Sequence, residues 1–139
     1  MKPLAFLRAS GSGGSMVPHT RALLAASAYT FIAGDKVAGI YDHAAKRHLR
    51  IAAESRGDHL QGYDGDRASR FGGTLPEIYD AGDKAFLSLA IEGSKVQGYD
   101  RGTSTFYEAN VADRLVQLYD HGRSEWFAFA IQVAEHQSA

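Results

Sequence analysis

The chain has 139 residues, 45% of them hydrophobic and 22% charged, and its 15 basic and 16 acidic side chains leave a formal charge of −1. That length suits one domain, and the charge balance argues against a general nucleic-acid or anionic-membrane binder, which carries a basic surplus. With no cysteine there is no disulfide, thiol nucleophile or thiolate metal site, and no apolar run approaches the roughly 20 residues that span a bilayer.

Residues 1–15 stand apart from the rest. Residues 2–7 suit one short strand, and Ser10-Gly11-Ser12-Gly13-Gly14-Ser15 has the composition of a flexible linker. The expected organisation is a flexible N-terminal tail over 1–15 and a single β-repeat domain over 16–139, with Met16 as an alternative start. From Pro18 to Tyr29 a helix is expected, with Pro18 in its first turn and an Ala/Leu-rich body. The same stretch also fits the opening of a first strand. Within it, Leu23 to Ala28 follows Arg21 and ends Ala26-x-Ala28, but the apolar region is shorter than a secretory signal needs. A cytoplasmic location is therefore expected, with secretion as the alternative.

From residue 30 onward the sequence repeats itself. The dipeptide Tyr-Asp occurs at 41–42, 63–64, 79–80, 99–100 and 119–120, at intervals of 22, 16, 20 and 20 residues. The last three units align without a gap: Gly82, Gly102 and Gly122 correspond, as do Phe86, Phe106 and Trp126. A fixed period of this size marks a repeat architecture, each unit one supersecondary element. Within a unit, Leu87, Leu89 and Ile91 fall on one face of an extended chain, as do Tyr107, Ala109 and Val111, and Phe127, Phe129 and Ile131. All three sets are apolar, and a period of two held over three copies is a strand signal. Each unit thus reads as a hairpin, with a glycine turn at Glu92-Gly93-Ser94 and a Tyr-Asp-x-Gly junction where the aspartate bonds backbone amides ahead of it. The glycine two residues on is expected to relieve the bend. The residue before each Tyr-Asp alternates large and small: Ile40, Gly62, Ile78, Gly98, Leu118. Dense packing in a narrow interior explains such alternation, and closure removes the sheet edges that invite aggregation. The expected fold is all-β: an antiparallel meander of about ten strands in tandem hairpins of about twenty residues, compact and closed or nearly so, with a short N-terminal extension.

The stretch Gly98-Tyr99-Asp100-Arg101-Gly102-Thr103-Ser104-Thr105-Phe106-Tyr107, then Leu118-Tyr119-Asp120-His121-Gly122 and the closing Trp126-Phe127-Ala128-Phe129, resembles the small bacterial β-repeat domains described as four-fold β-flowers. The resemblance covers about residues 30–132 and is most specific in the last sixty. It implies a fold and supplies no activity. Units 43–64 and 65–80 depart from the period in length, which puts a simple rotational symmetry in doubt.

Chemistry-bearing patterns are sparse. There is no Gly-x-Ser-x-Gly elbow and no His-Glu-x-x-His spacing. His43 and His48 fall on opposite faces of an extended chain, and His43 and His121 share a repeat position. The irregular segment 43–70 carries Lys46, Arg47, Arg50, Arg56, Arg67 and Arg70 against Glu54, Asp58, Asp64 and Asp66, six cations to four anions. A ladder of Tyr41, Tyr63, Tyr79, Tyr99 and Tyr119, with Arg47 and Arg50 beside it, is the candidate ligand-binding set, able to stack on sugar rings or on a partner surface. No catalytic residue, metal or cofactor is assigned. The leading expectation is a noncatalytic interaction or structural module that associates with itself or with another protein, with no nucleic acid or membrane as partner. A small-ligand or glycan-binding domain comes second, and a hydrolase built from scattered Asp, His and Ser third.

Overall fold

The computed structural model describes residues 16–134; the expected tail, short strand and linker of 1–15 lie outside the described residues. One helix, α1 (Pro18–Ala33), precedes twelve strand segments. They are β1 (Val37–Asp42), β2 (Arg47–Leu49), β3 (Ile51–Arg56), β4 (His59–Asp64), β5 (Ser69–Thr74), β6 (Glu77–Asp80), β7 (Ala85–Ser88), β8 (Ala90–Glu92), β9 (Lys95–Asp100), β10 (Thr105–Ala112), β11 (Leu115–Asp120) and β12 (Glu125–Val133). Because β2 and β3 are one strand bent at Arg50, and β7 and β8 one bent at Leu89, the barrel has ten strands. Each is antiparallel to the next, and β12 returns to pair with β1, Ile40 opposite Ile131. Closure is therefore a pairing of first strand with last.

Inside the ring runs α1. The stretch from Thr20 to Thr30 is buried at every position. A helix without a polar face must be enclosed on all sides, and the sequence Ala22-Leu23-Leu24-Ala25-Ala26-Ser27-Ala28 has none. Its small side chains keep the helix narrow enough to fit the bore, while Leu23 and Leu24 meet an inner wall of Ile40, Ile51, Leu60, Ile78, Leu87, Val96, Leu118 and Phe129. The hydroxyls it carries inward find partners: Ser27 Oγ donates to the Leu23 carbonyl at 2.7 Å, and Thr30 Oγ1 lies 3.3 Å from Ser55 Oγ. Gly34, at φ +84°, ends the helix with its N–H on the Thr30 carbonyl. The helix is thus the core around which the hairpins wrap, and no helix among the described residues is long and apolar enough to cross a membrane.

The large–small alternation has a local cause. Gly62 lies opposite Phe71, and Gly98 opposite Tyr107. A Cβ on Gly62 would run into the Phe71 ring, and one on Gly98 into the Tyr107 ring and the Ser88 carbonyl. Each glycine therefore makes room for an aromatic ring on the next strand, whereas Ile78 faces the slimmer Leu87. One inward residue departs from expectation. Ile91 is 36% exposed, because the chain bends at Leu89, whose N–H bonds the Pro76 carbonyl, and β8 beyond the bend pairs only with β9.

Candidate functional site

At the end of the barrel where α1 begins, the five Tyr-Asp aspartates point inward, and Asp42, Asp64, Asp80, Asp100 and Asp120 are all 0–2% exposed. In every unit Oδ1 accepts the amide two residues on: Ala44 and Asp66 at 3.0 Å, Gly82 at 3.0 Å, Gly102 and Gly122 at 2.8 Å. These are Asx-turns, so the repeated aspartate closes each junction. The glycine is not what bends the chain. Positive φ falls four residues after each aspartate, at Lys46, Ala68, Lys84, Ser104 and Ser124. The glycines instead allow close approach, since a Cβ on Gly102 would meet Ala85 Cβ at 2.8 Å and one on Gly82 the Arg67 guanidinium at 2.6 Å.

Burying several carboxylates together requires counter-charge, and two arginines supply it to Asp64, Asp80 and Asp120. Arg21, from α1, lies 3.3 Å from Asp120 Oδ2, donates to the Met16 carbonyl, and stacks 3.8 Å from the Phe127 ring centroid. Burial draws its pKa down, against the opposing pull of Asp120. Arg67 gathers three acids: Asp64 Oδ2 at 2.6 Å, Asp83 Oδ1 at 3.2 Å and Asp80 Oδ1 at 3.3 Å. Burial opposes its charge, but the three carboxylates hold its pKa above the ordinary value. Burial pushes the Asp80 carboxyl up despite Arg67. The positive end of the helix faces this acidic ring, a favourable arrangement for a helix dipole.

His19, Asp64 and Asp66 bring ligand atoms within 4.8 Å of one another, the spacing of a metal site. Their atoms are already engaged: Asp64 by the turn amides and Arg67, Asp66 Oδ2 by the Arg50 amide at 3.0 Å and by His19 Nε2 at 3.3 Å. The group reads as a hydrogen-bonded clasp from helix to turn.

The five tyrosines stand on the outside, one per unit, so they form no continuous ladder of their own. Each faces a cross-strand partner: Tyr41 with His48, Tyr63 with Arg70, Tyr79 with Phe86, Tyr99 with Phe106, Tyr119 with Trp126. Rings meet at 4.6 Å between centroids in Tyr99–Phe106, 4.9 Å in Tyr79–Phe86 and 5.1 Å in Tyr119–Trp126. His43 and His48, which alternation would separate, both pack edge-on against Tyr41. His121 packs on Tyr119, so each of the equivalent histidines stays on its own unit.

That partner position divides the outer surface in two. Three consecutive units place an aromatic ring there, and Phe86, Phe106 and Trp126 are 49%, 62% and 51% exposed. The two units of the irregular segment place His48 and Arg70 there instead. On this second side small residues open a trough: Tyr63 stands between Ala52 and Arg70, while Gln61 and Tyr79 face Gly72 from either side. Two adjoining hollows, each about 690 Å³, share Ala52 and Tyr63 and run from β1 to β6. Arg50 borders one of them, with Nε 3.4 Å from Asp66. Arg47 is exposed on β2. Among the described residues Lys46, Arg47, Arg56 and Arg70 have no ion-pair partner, whereas Arg50 and Arg67 do. Neither the two-sided surface nor Ala52 and Gly72 was singled out from the sequence, although the switch from aromatic to basic at one repeat position is legible there. No family model, curated protein or solved structure gives a significant match to this chain.

Proposed function

We propose that this barrel is a noncatalytic interaction module that works through its outer surface and self-associates through the aromatic arc of β6 to β12. The observation that carries this is the exposure of Phe86, Phe106 and Trp126 at one repeated position, where the core needs no ring. Large apolar side chains clustered on a surface mark contact sites. The bore is filled by α1, and the buried aspartates are committed to turns and arginines, so neither offers groups for bond-making. The test is sedimentation velocity over a concentration series. The wild type is expected to show a rising sedimentation coefficient, and Phe86→Ser/Phe106→Ser/Trp126→Ser to stay monomeric with unchanged circular dichroism. A wild type that stays monomeric throughout, or a variant that associates equally, overturns the proposal. A second reading, a small-ligand or glycan-binding domain, is favoured by the trough beside Tyr63 and Arg70.

A further inference from the structure

The trough across β1 to β6 is a feature that repeat geometry does not require. Glu108 stands opposite Tyr119, and Ser88 lies beside Tyr99, whose N–H donates to its Oγ at 2.9 Å, whereas Ala52 and Gly72 stand opposite Tyr63 and Tyr79. The loss of side chain at these places leaves the Tyr63 ring 46% exposed, flanked by low floor on one side. Above the floor stand amides rather than hydrocarbons: Gln61 on β4, and Gln132 within 3.5 Å of His48. Charged groups on the walls are Lys36, Arg50 and Arg70 against Glu54, three cations to one anion on a chain whose formal charge is −1. Lys36 is paired with Glu54 at 3.0 Å and Arg50 with Asp66 at 3.4 Å, which leaves Arg70 as the wall's guanidinium without an ion-pair partner among the described residues.

From these features we infer that the trough binds an acidic oligosaccharide, with Tyr63 as the platform for a sugar face and Arg70 as the receptor for a carboxylate. The inference rests on the second, ligand-binding reading and is independent of the aromatic arc. An open trough with one exposed aromatic ring beside a low floor, and amides on its walls, suits a chain of rings that presents flat C–H faces and many hydroxyls. Arg70 has five donors in a planar fork that matches a carboxylate and no ion-pair partner among the described residues. Single-stranded nucleic acid, the competing polyanion, is held by a row of cations tracking the backbone, and two guanidiniums beside one tyrosine fall short of that.

Isothermal titration calorimetry on the full chain tests the assignment, with tetragalacturonate, neutral cellotetraose and a short oligothymidylate as probes. Tetragalacturonate is expected to bind, cellotetraose at least about tenfold more weakly, in line with the loss of a charged hydrogen bond. Arg70→Gln should lower the acidic saccharide's affinity by about tenfold or more. Tyr63→Ala and the trough-filling Ala52→Gln should each weaken both saccharides, with thermal melts unchanged. Backbone amide NMR shifts should cluster at 52, 61–63 and 70–72, and the signal of the Trp126 indole, which lines neither hollow, should not move. Oligothymidylate binding tighter than the saccharide, equal affinity for neutral and acidic sugar, or no saccharide binding at all would each overturn the inference. The arc variant Phe86→Ser/Phe106→Ser/Trp126→Ser should bind saccharide normally and Arg70→Gln should self-associate normally, so the failure of one proposal is separable from the failure of the other.

Discussion

Neutralising Arg21 isolates the interaction that ties the central helix to the aspartate ring. The guanidinium and Asp120 are 3.3 Å apart, with side chains 8% and 0% exposed. At that separation, with an effective dielectric of about 20, the attraction is about 5 kcal/mol before desolvation. Loss of hydration by two nearly buried charges offsets most of it, so the pair as a unit adds little. Removing one member is different, because it strands the other: breaking a buried pair from one side costs about 3–5 kcal/mol. In Arg21→Met, Asp120 keeps the Gly122 and Met16 amides but loses its cation, and Phe127 loses the group stacked on it. A drop of about 3–5 kcal/mol is expected, a large share of a total stability that is typically 5–15 kcal/mol. Asp120→Asn retains a carbonyl for the turn amide and strands the arginine instead, with a loss of similar size. The double variant removes both charges and should be less destabilised than the sum of the singles by about 2 kcal/mol or more. Urea unfolding of the four proteins, followed by circular dichroism, measures the cycle. Additivity within about 0.5 kcal/mol would refute the reasoning and mean that Asp120 does not depend on Arg21.

Three further expectations follow from the ring and the wall. Gly62→Ala should cost about 1–3 kcal/mol through the clash with Phe71 and recover when combined with Phe71→Leu; Gly98→Ala should not be rescued by Tyr107→Leu, because the Ser88 carbonyl also stands in the way. Thermal melts of the two pairs decide this. For Asp66, burial alone would raise its pKa, but the Arg50 amide and His19 hold it below the ordinary value. A depressed folded-state value contributes stability that is present above the unfolded value near 3.9 and lost as pH falls through the folded one. Asp66→Asn should therefore flatten the acid limb of stability against pH, and an unchanged limb refutes the assignment. Asp80 has its pKa raised by burial, so its contribution is fully present below the unfolded value and is lost as pH rises through the folded one. Asp80→Asn should therefore lose far less stability at pH 7 than Asp120→Asn, since Arg67 keeps Asp64 and Asp83; equal losses in urea would count against this.

What the sequence by itself determined was whatever is local and repeated. Alternating apolar positions such as Tyr107 and Ala109, or Phe127 and Phe129, define strands by period alone, and Asp100 with Gly102 encodes a turn within four residues. Ten strands, their order and the inward aspartates are consequences of those local rules applied five times. Closure set the rest. The sequence suggested a helix at 18–29 without saying that it fills the bore, because enclosure depends on which elements surround it, although the lack of any polar face was the available signal. Likewise Arg67 meets Asp80 and Asp83, and Arg21 meets Asp120, across 13, 16 and 99 residues of chain. Such pairings carry no spacing rule: those of Arg67 exist only when neighbouring hairpins lie side by side, and that of Arg21 only when the ring encloses the helix. The division of the outside into an aromatic arc and a basic trough has the same origin: each Tyr is paired locally with a ring or a cation, but only the ring of strands gathers like partners onto one side.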